Sequence, residues 1–289
     1  MYCFLHPLNV CWLILIVPAR KGASLGSGKE TTPMKRVWMI IAMQALVAAF
    51  SDSAPAQAAT VDHFRCYLVP AATTMNVSAR LQDQFDAATG SFENITTLTI
   101  EHFCNPVEKI VNGVVFPIIN PAHHLTMFHI NPQTTIARTV VVNNQFGTQT
   151  LSVADARWLA VPTGKSLPPN PPPPPSTDLD HYKCYAASGP TLVNTVATLK
   201  DQFRSDTVNV LQPVRFCNPV EKIRNGVVTP IQHPTVHLVC YATSVINFQT
   251  RINIRNQFIS LLSNLLVENP DLLCAPSSKL SWQVVTGTN

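Results

Sequence analysis

Along much of the chain apolar and polar residues alternate with a period of two, the pattern of strands with one buried face. In His63–Phe64–Arg65–Cys66–Tyr67, Phe64 and Cys66 fall on one face, and His63, Arg65 and Tyr67 fall on the other. The same alternation returns three times, with Leu125/Met127, Tyr182/Cys184 and Leu238/Cys240 on the apolar face. A second recurring stretch places Leu81, Asp83 and Phe85 on one face, and Val142/Asn144/Phe146, Leu199/Asp201/Phe203 and Ile254/Asn256/Phe258 repeat it. The Asp or Asn between apolar residues needs hydrogen bonds and is expected to tie down the turn after its strand. Asn112-Gly113 and Asn225-Gly226, flanked by valines, are expected to form tight two-residue turns.

These stretches occur in a fixed order: His-x-x-Cys-aromatic, then Asp/Asn-Gln-Phe, then Cys-x-Pro-x-x-Lys. Residues 103–110 and 216–223 carry the last element as the same eight residues, FCNPVEKI. Weaker forms end at Lys165 and Lys279, so the chain holds four half-repeats. A proline-rich stretch, SLPPNPPPPP from Ser166 to Pro175, lies in the middle and is expected to be a stiff, extended spacer. The pattern predicts an all-β protein of two tandem, disulfide-stapled β-sandwich or barrel-like domains. Each is a pseudo-twofold pair of half-repeats, at residues 59–165 and 180–289, joined by a Pro-rich linker at 166–179.

Of the eight cysteines, Cys3 and Cys11 lie ahead of Met34, in the expected leader; the other six alone allow fifteen pairings. The half-repeats reduce them to Cys66–Cys104, Cys184–Cys217 and Cys240–Cys274. In the remaining half both cysteine positions are replaced, by Met127 and Ala160, as expected of residues that would have been bonded to each other. Each bridge closes a loop worth roughly 3–4 kcal/mol in the chain-entropy model.

Ahead of the repeats, Met34-Lys35-Arg36, the apolar run from Val37 to Phe50 and Ala56-Gln57-Ala58 have the order of a secretory signal. Residues 34–58 are therefore expected to be a signal peptide cleaved after Ala58, leaving no membrane span. Residues 1–33 are expected to be a mis-called N-terminal extension. Gly26-Ser27-Gly28-Lys29-Glu30 fails as a phosphate loop, because Ala23 and Glu30 stand where that motif needs Gly and Ser/Thr.

Composition changes the picture in two ways. Only 12% of residues are charged and 46% are hydrophobic, which allows a large core. Residues 1–58 hold five of the 20 Lys/Arg and two of the 16 acids; the remaining 15 basic and 14 acidic groups nearly cancel. That leaves no basic surface for nucleic acid.

Residues that recur in every half, such as His63, His124, His181 and His237, are better explained as scaffold than as chemistry. No metal site or cofactor is expected. The extra histidines of the first half, His102, His123 and His129, with His124, are the candidates a divalent ion would use. The first half also has a longer middle loop, expected around Ser91–Leu98. The stripe His63, Arg65, Tyr67 with His181, Lys183, Tyr185 is a candidate outward binding face. Asn76 and Asn94 head glycosylation sequons.

The order DHF-x-CY, DQF, FCNPV-x-K, HL-x-CY, NQF, LC-x-PS-x-K resembles a bacterial domain of unknown function that occurs in tandem in secreted and cell-surface proteins. The resemblance covers nearly all of the chain after residue 58 and implies location and architecture, not an activity. The leading expectation is a secreted or envelope-associated β module that binds an extracellular protein or glycan, or serves structurally, and is not an enzyme. One alternative is an extracellular hydrolase or metal-binding protein with its site in the first half. Another is an inhibitor of extracellular enzymes presenting the Asn-Pro-Val-Glu segment after Cys104 or Cys217.

Overall fold

The computed structural model describes residues 61–286 except residue 72. The expected extension, signal peptide and cleavage point lie outside the described residues.

The first half-repeat forms β1 (His63–Leu68), β2 (Thr74–Gln82), the single-turn α1 (Gln84–Ala87), β3 (Glu93–Val111) and β4 (Val114–Phe116). The second forms β5 (Leu125–Asn131), β6 (Arg138–Asn144), β7 (Gly147–Pro162) and β8 (Gly164–Ser166). The third forms β9 (Tyr182–Ser188), β10 (Val196–Lys200), β11 (Ser205–Pro219), β12 (Glu221–Arg224) and β13 (Val227–Thr229). The fourth forms β14 (His237–Thr243), β15 (Gln249–Arg255) and β16 (Leu262–Val284). The fold is all-β, disulfide-stapled and repeated.

Each half-repeat contributes one outgoing and one returning strand to a closed antiparallel ring. Its order is β1, β3, β5, β7, β9, β11, β14, β16 and back to β1. Eight strands leave an interior that side chains can fill. The ring passes between the two halves at two seams, β7 against β9 and β16 against β1. The described residues accordingly form one compact unit. The proline-rich stretch lies on this body: Pro172 is buried, and the Asn170 carbonyl accepts from Asn253 Nδ2 at 2.7 Å.

All three expected disulfides are present, each between residues directly opposite on neighbouring ring strands. Met127 and Ala160 face each other at the fourth such position. These residues, with Phe64, Leu125, Tyr182 and Leu238, form the buried interior of the ring.

A second, larger core lies outside the ring, beneath the hairpins that each half-repeat sends out between its two ring strands. Each hairpin ends in the Asp/Asn-Gln-Phe stretch, and the Asp or Asn ties the turn as expected. Asp83 N-caps α1, accepting from the Phe85 and Asp86 amides, while Asp201, Asn144 and Asn256 accept from the amide two residues on. One expectation is corrected here: Asp83 and Phe85 do not continue a strand, because β2 stops at Gln82 where the cap begins. A second correction concerns Ser91–Leu98, expected as a loop. From Glu93 onward it is strand β3, paired with β2. Asn112-Gly113 and Asn225-Gly226 form the expected turns, with φ of 50° and 77° and of 51° and 77°.

The hairpins interlock the repeats in a cyclic pattern. Each hairpin tip touches the outgoing strand of the repeat two places away. Tyr67 Oη donates to Asp201 (2.6 Å), Tyr185 Oη donates to Asp83 (2.7 Å), Asn144 Nδ2 donates to Tyr241 Oη (2.9 Å), and Phe128 packs edge-on against Phe258. Each repeat lysine instead lies over the tip phenylalanine of the next repeat. Lys109 sits over Phe146, Lys165 over Phe203, Lys222 over Phe258 and Lys279 over Phe85. Repeat symmetry is therefore carried by contacts between repeats as well as within them.

Candidate functional site

The residues expected to form an outward face are all buried, because the face of the ring opposite the cysteines is covered by hairpins. Most of their polar groups are paired between repeats. Arg65 pairs with Asp206 at 2.7 Å, and Lys183 with Asp86 at 3.0 Å and Glu93 at 2.5 Å. Tyr67 and Tyr185 hold the hairpin tips. His63 bonds Gln145 at 2.6 Å and His181 bonds Gln257. The free binding stripe is corrected to an internal seam.

The four repeat histidines share one electrostatic setting. Burial, together with a neighbouring lysine charge, pushes His63, His181 and His237 down to about 3 and His124 well below its usual value. Burial likewise lowers the lysines, Lys109 to about 7 and Lys165, Lys222 and Lys279 to about 8. Among the described residues Lys109 Nζ has no hydrogen-bond partner, and it lies between the rings of Phe116 and Phe146.

The four histidines proposed as metal candidates separate into three places. His123 bridges Asp62 (2.9 Å) and Asp178 (3.0 Å); burial opposes its charge, but these carboxylates outweigh burial and raise its pKa. His124 packs beside Phe103. His102 and His129 lie at one end of the ring. Among the described residues no three His, Cys, Asp or Glu side chains gather as a metal site. The Asn-Pro-Val segments after Cys104 and Cys217 are buried within the sheet, so they are not the exposed loop an inhibitor needs. Asn76 and Asn94 are exposed on β2 and β3.

An asymmetric constellation does exist, at the mouth of the ring. On each return strand the residue two before the second cysteine position belongs to the same ring layer. These residues are His102, Trp158, Arg215 and Leu272. On β3, β7 and β11 the ladder shifts register just before this residue, and such bulges re-aim side chains. His102 and Arg215 stand on strands diametrically opposite in the ring, yet Arg215 Nη2 lies 3.4 Å from His102 Nδ1, which places both inside it. His102 Nε2 is 3.1 Å from Asp271, on β16. Arg215 stacks 3.9 Å over the Trp158 ring and donates to Glu101 at 2.9 Å, and Trp158 Nε1 donates to the same carboxylate. The Met127 sulfur, at the position where the fourth disulfide is missing, accepts from Arg215 Nη1 at 3.5 Å. Burial lowers the Arg215 pKa, and the charges of Glu101 and Asp271 oppose that shift. Arg215 and His102 are buried, while the side chains of Glu101 and Asp271 are 33% and 26% exposed, so the carboxylates form the accessible rim.

Only His102 of this group was singled out from the sequence, and for a different role. The signal was available in the half-repeat alignment: a column beside the second cysteine reads His, Trp, Arg, Leu where neighbouring inward positions are apolar or cysteine.

No helix among the described residues is long and apolar enough to cross a membrane. No curated protein and no solved structure matches the chain. A family model described as "Repeat of unknown function (DUF7450)" matches twice in tandem, over residues 26–161 and 128–275, and the chain belongs to that family.

Proposed function

We propose that the protein is an exported repeat module that binds an extracellular protein or glycan through the mouth of its ring, without catalysing a reaction. The observation that carries this reading is the loss of repeat symmetry at the mouth. Elsewhere the ring interior repeats cysteines and apolar residues, whereas here it brings together Arg215, Trp158, His102, Glu101 and Asp271. Buried charges of this kind are costly unless paired, so a purely structural ring would be as well served by apolar residues. The partly exposed carboxylates suit a partner rich in hydroxyl or ammonium donors. Three disulfides support an oxidising, extracellular setting.

The hydrolase reading has the His102–Asp271 pair in its favour, but among the described residues no serine, threonine or cysteine nucleophile is bonded to His102. The test is a screen of the secreted protein against extracellular glycans and peptides, repeated with a Glu101→Gln/Asp271→Asn double variant. Binding weakened at least tenfold in the variant supports the mouth as the site. Unchanged binding places the site elsewhere, and turnover of a screened glycan overturns the non-catalytic reading.

A further inference from the structure

Repeats one and three run in step through FCNPVEKI and the Asn-Gly turn, then diverge. β4 ends on Phe116, and β13 ends on Thr229. Both residues occupy the same place, directly across the hairpin from the repeat lysine, Phe116 opposite Lys109 and Thr229 opposite Lys222. In repeat one the Phe116 ring packs beside His63, with ring centroids 5.4 Å apart, and Lys109 Nζ lies 4.3 Å from its centre. In repeat three that ring is missing, and a cleft of about 340 Å³ stands beside His181. Pro162, Leu179, Pro230 and Pro175 give it mainly apolar walls, and His181 and Gln257 supply convergent polar groups. Lys222 Nζ, which faces no ring at this position, donates to Thr229 Oγ1 at 3.1 Å and to Gln257 Oε1.

We propose that this cleft binds a single-ring aromatic small molecule carrying a hydroxyl group, with its ring where the Phe116 ring lies in repeat one. The chain supplies the template: the same sheet position, the same histidine and the same lysine already enclose an aromatic ring in repeat one. The ring fills the apolar space and places a π face beside the Lys222 ammonium. The hydroxyl reaches the His181–Gln257 pair. The volume is at the small end for ligand sites, which limits the occupant to a compact molecule. This site is separate from the ring mouth, so either can fail without the other.

The test uses the full exported chain with phenol as probe and cyclohexanol as a non-aromatic match, followed by calorimetry and NMR of the histidine imidazoles. One phenol is expected to bind per chain, in the micromolar to millimolar range, with cyclohexanol clearly weaker. Phenol should shift the His181 resonances and leave those of His63, whose neighbouring space is already occupied. Thr229→Phe copies repeat one and should weaken phenol at least tenfold. Absence of phenol binding, equal binding of cyclohexanol, equal shifts at His63, or phenol binding retained in folded Thr229→Phe would each overturn the proposal. The two wild-type measurements decide the matter even if Thr229→Phe does not fold.

Discussion

Replacing Asp83 with alanine tests how the repeats are joined. The carboxylate is 2% exposed and does two jobs. Within its own repeat it caps α1 through the Phe85 amide at 2.8 Å and the Asp86 amide at 3.1 Å. Across the molecule it accepts from Tyr185 Oη at 2.7 Å and from Asn218 Nδ2 at 2.8 Å, both in repeat three. Losing an N-cap costs about 1 kcal/mol. Leaving two buried donors unpaired costs about 1–3 kcal/mol each. The expected total is about 3–7 kcal/mol, most of it from the contacts between repeats. Tyr185→Phe should recover part of the loss in the alanine background, because it removes one stranded donor. The assay is urea unfolding followed by far-UV circular dichroism and tryptophan fluorescence, with Trp158 and Trp282 reporting from repeats two and four. Because the hairpin tip of repeat one is part of the core of repeat three, the whole ring should unfold in one transition at a lower midpoint. A loss below 1 kcal/mol, or two transitions of which only one moves, would refute the reasoning.

Three further outcomes follow from the same geometry. Folded His63, His181 and His237 titrate near 3 but near 6.5 when unfolded, so below 6.5 the unfolded chain takes up protons the folded chain refuses. Stability is thus lost as pH falls from 6.5 toward 3, by up to about 1.4 kcal/mol per pH unit per histidine. The lysines lowered to about 7 and 8 act with the same sign up to their unfolded value of 10.5, so the urea midpoint should climb from pH 5 to pH 9; a flat or falling midpoint would contradict the buried neutral groups. Met127→Cys/Ala160→Cys should form a fourth cross-strand bridge, since the pair is in the register of the other three; intact mass should show the loss of two hydrogens, and the oxidised form should resist urea better than its reduced counterpart. Arg215→Ala should cost about 1.5–3 kcal/mol at pH 7, because the partly exposed Glu101 loses a charge-assisted hydrogen bond, whereas Arg215→Met should cost less; thermal melts of both variants check the order.

The half-repeat alignment made the disulfides, the capping Asp and Asn and the Asn-Gly turns legible, because each depends on residues close in sequence or repeated in register. It did not show where the hairpins dock. Alternation assigns a residue to a face of its own strand but carries no information about what covers that face. For that reason His63, Arg65 and Tyr67 read as an outward stripe, although their partners, Gln145, Asp206 and Asp201, come from other repeats. Arg65 and Lys183 look like surface charges by residue type, and only their pairing with Asp206, Asp86 and Glu93 makes burial tolerable. At the mouth the odd column is legible in the alignment, but not that its members meet: Trp158 and Arg215 are 57 positions apart and come together only when the ring closes.

The central claim is that four half-repeats close one ring whose hairpins interlock, so that neither half is complete alone. A protease site placed in the exposed stretch 167–171 allows the chain to be cut between the halves after folding. The measurement is size-exclusion chromatography with light scattering on the cut protein, before and after unfolding. The account predicts that the two fragments migrate together at the mass of the uncut chain and that neither, isolated from urea, refolds as a monomer with native circular dichroism. Two fragments that separate without denaturant into folded monomers would contradict it.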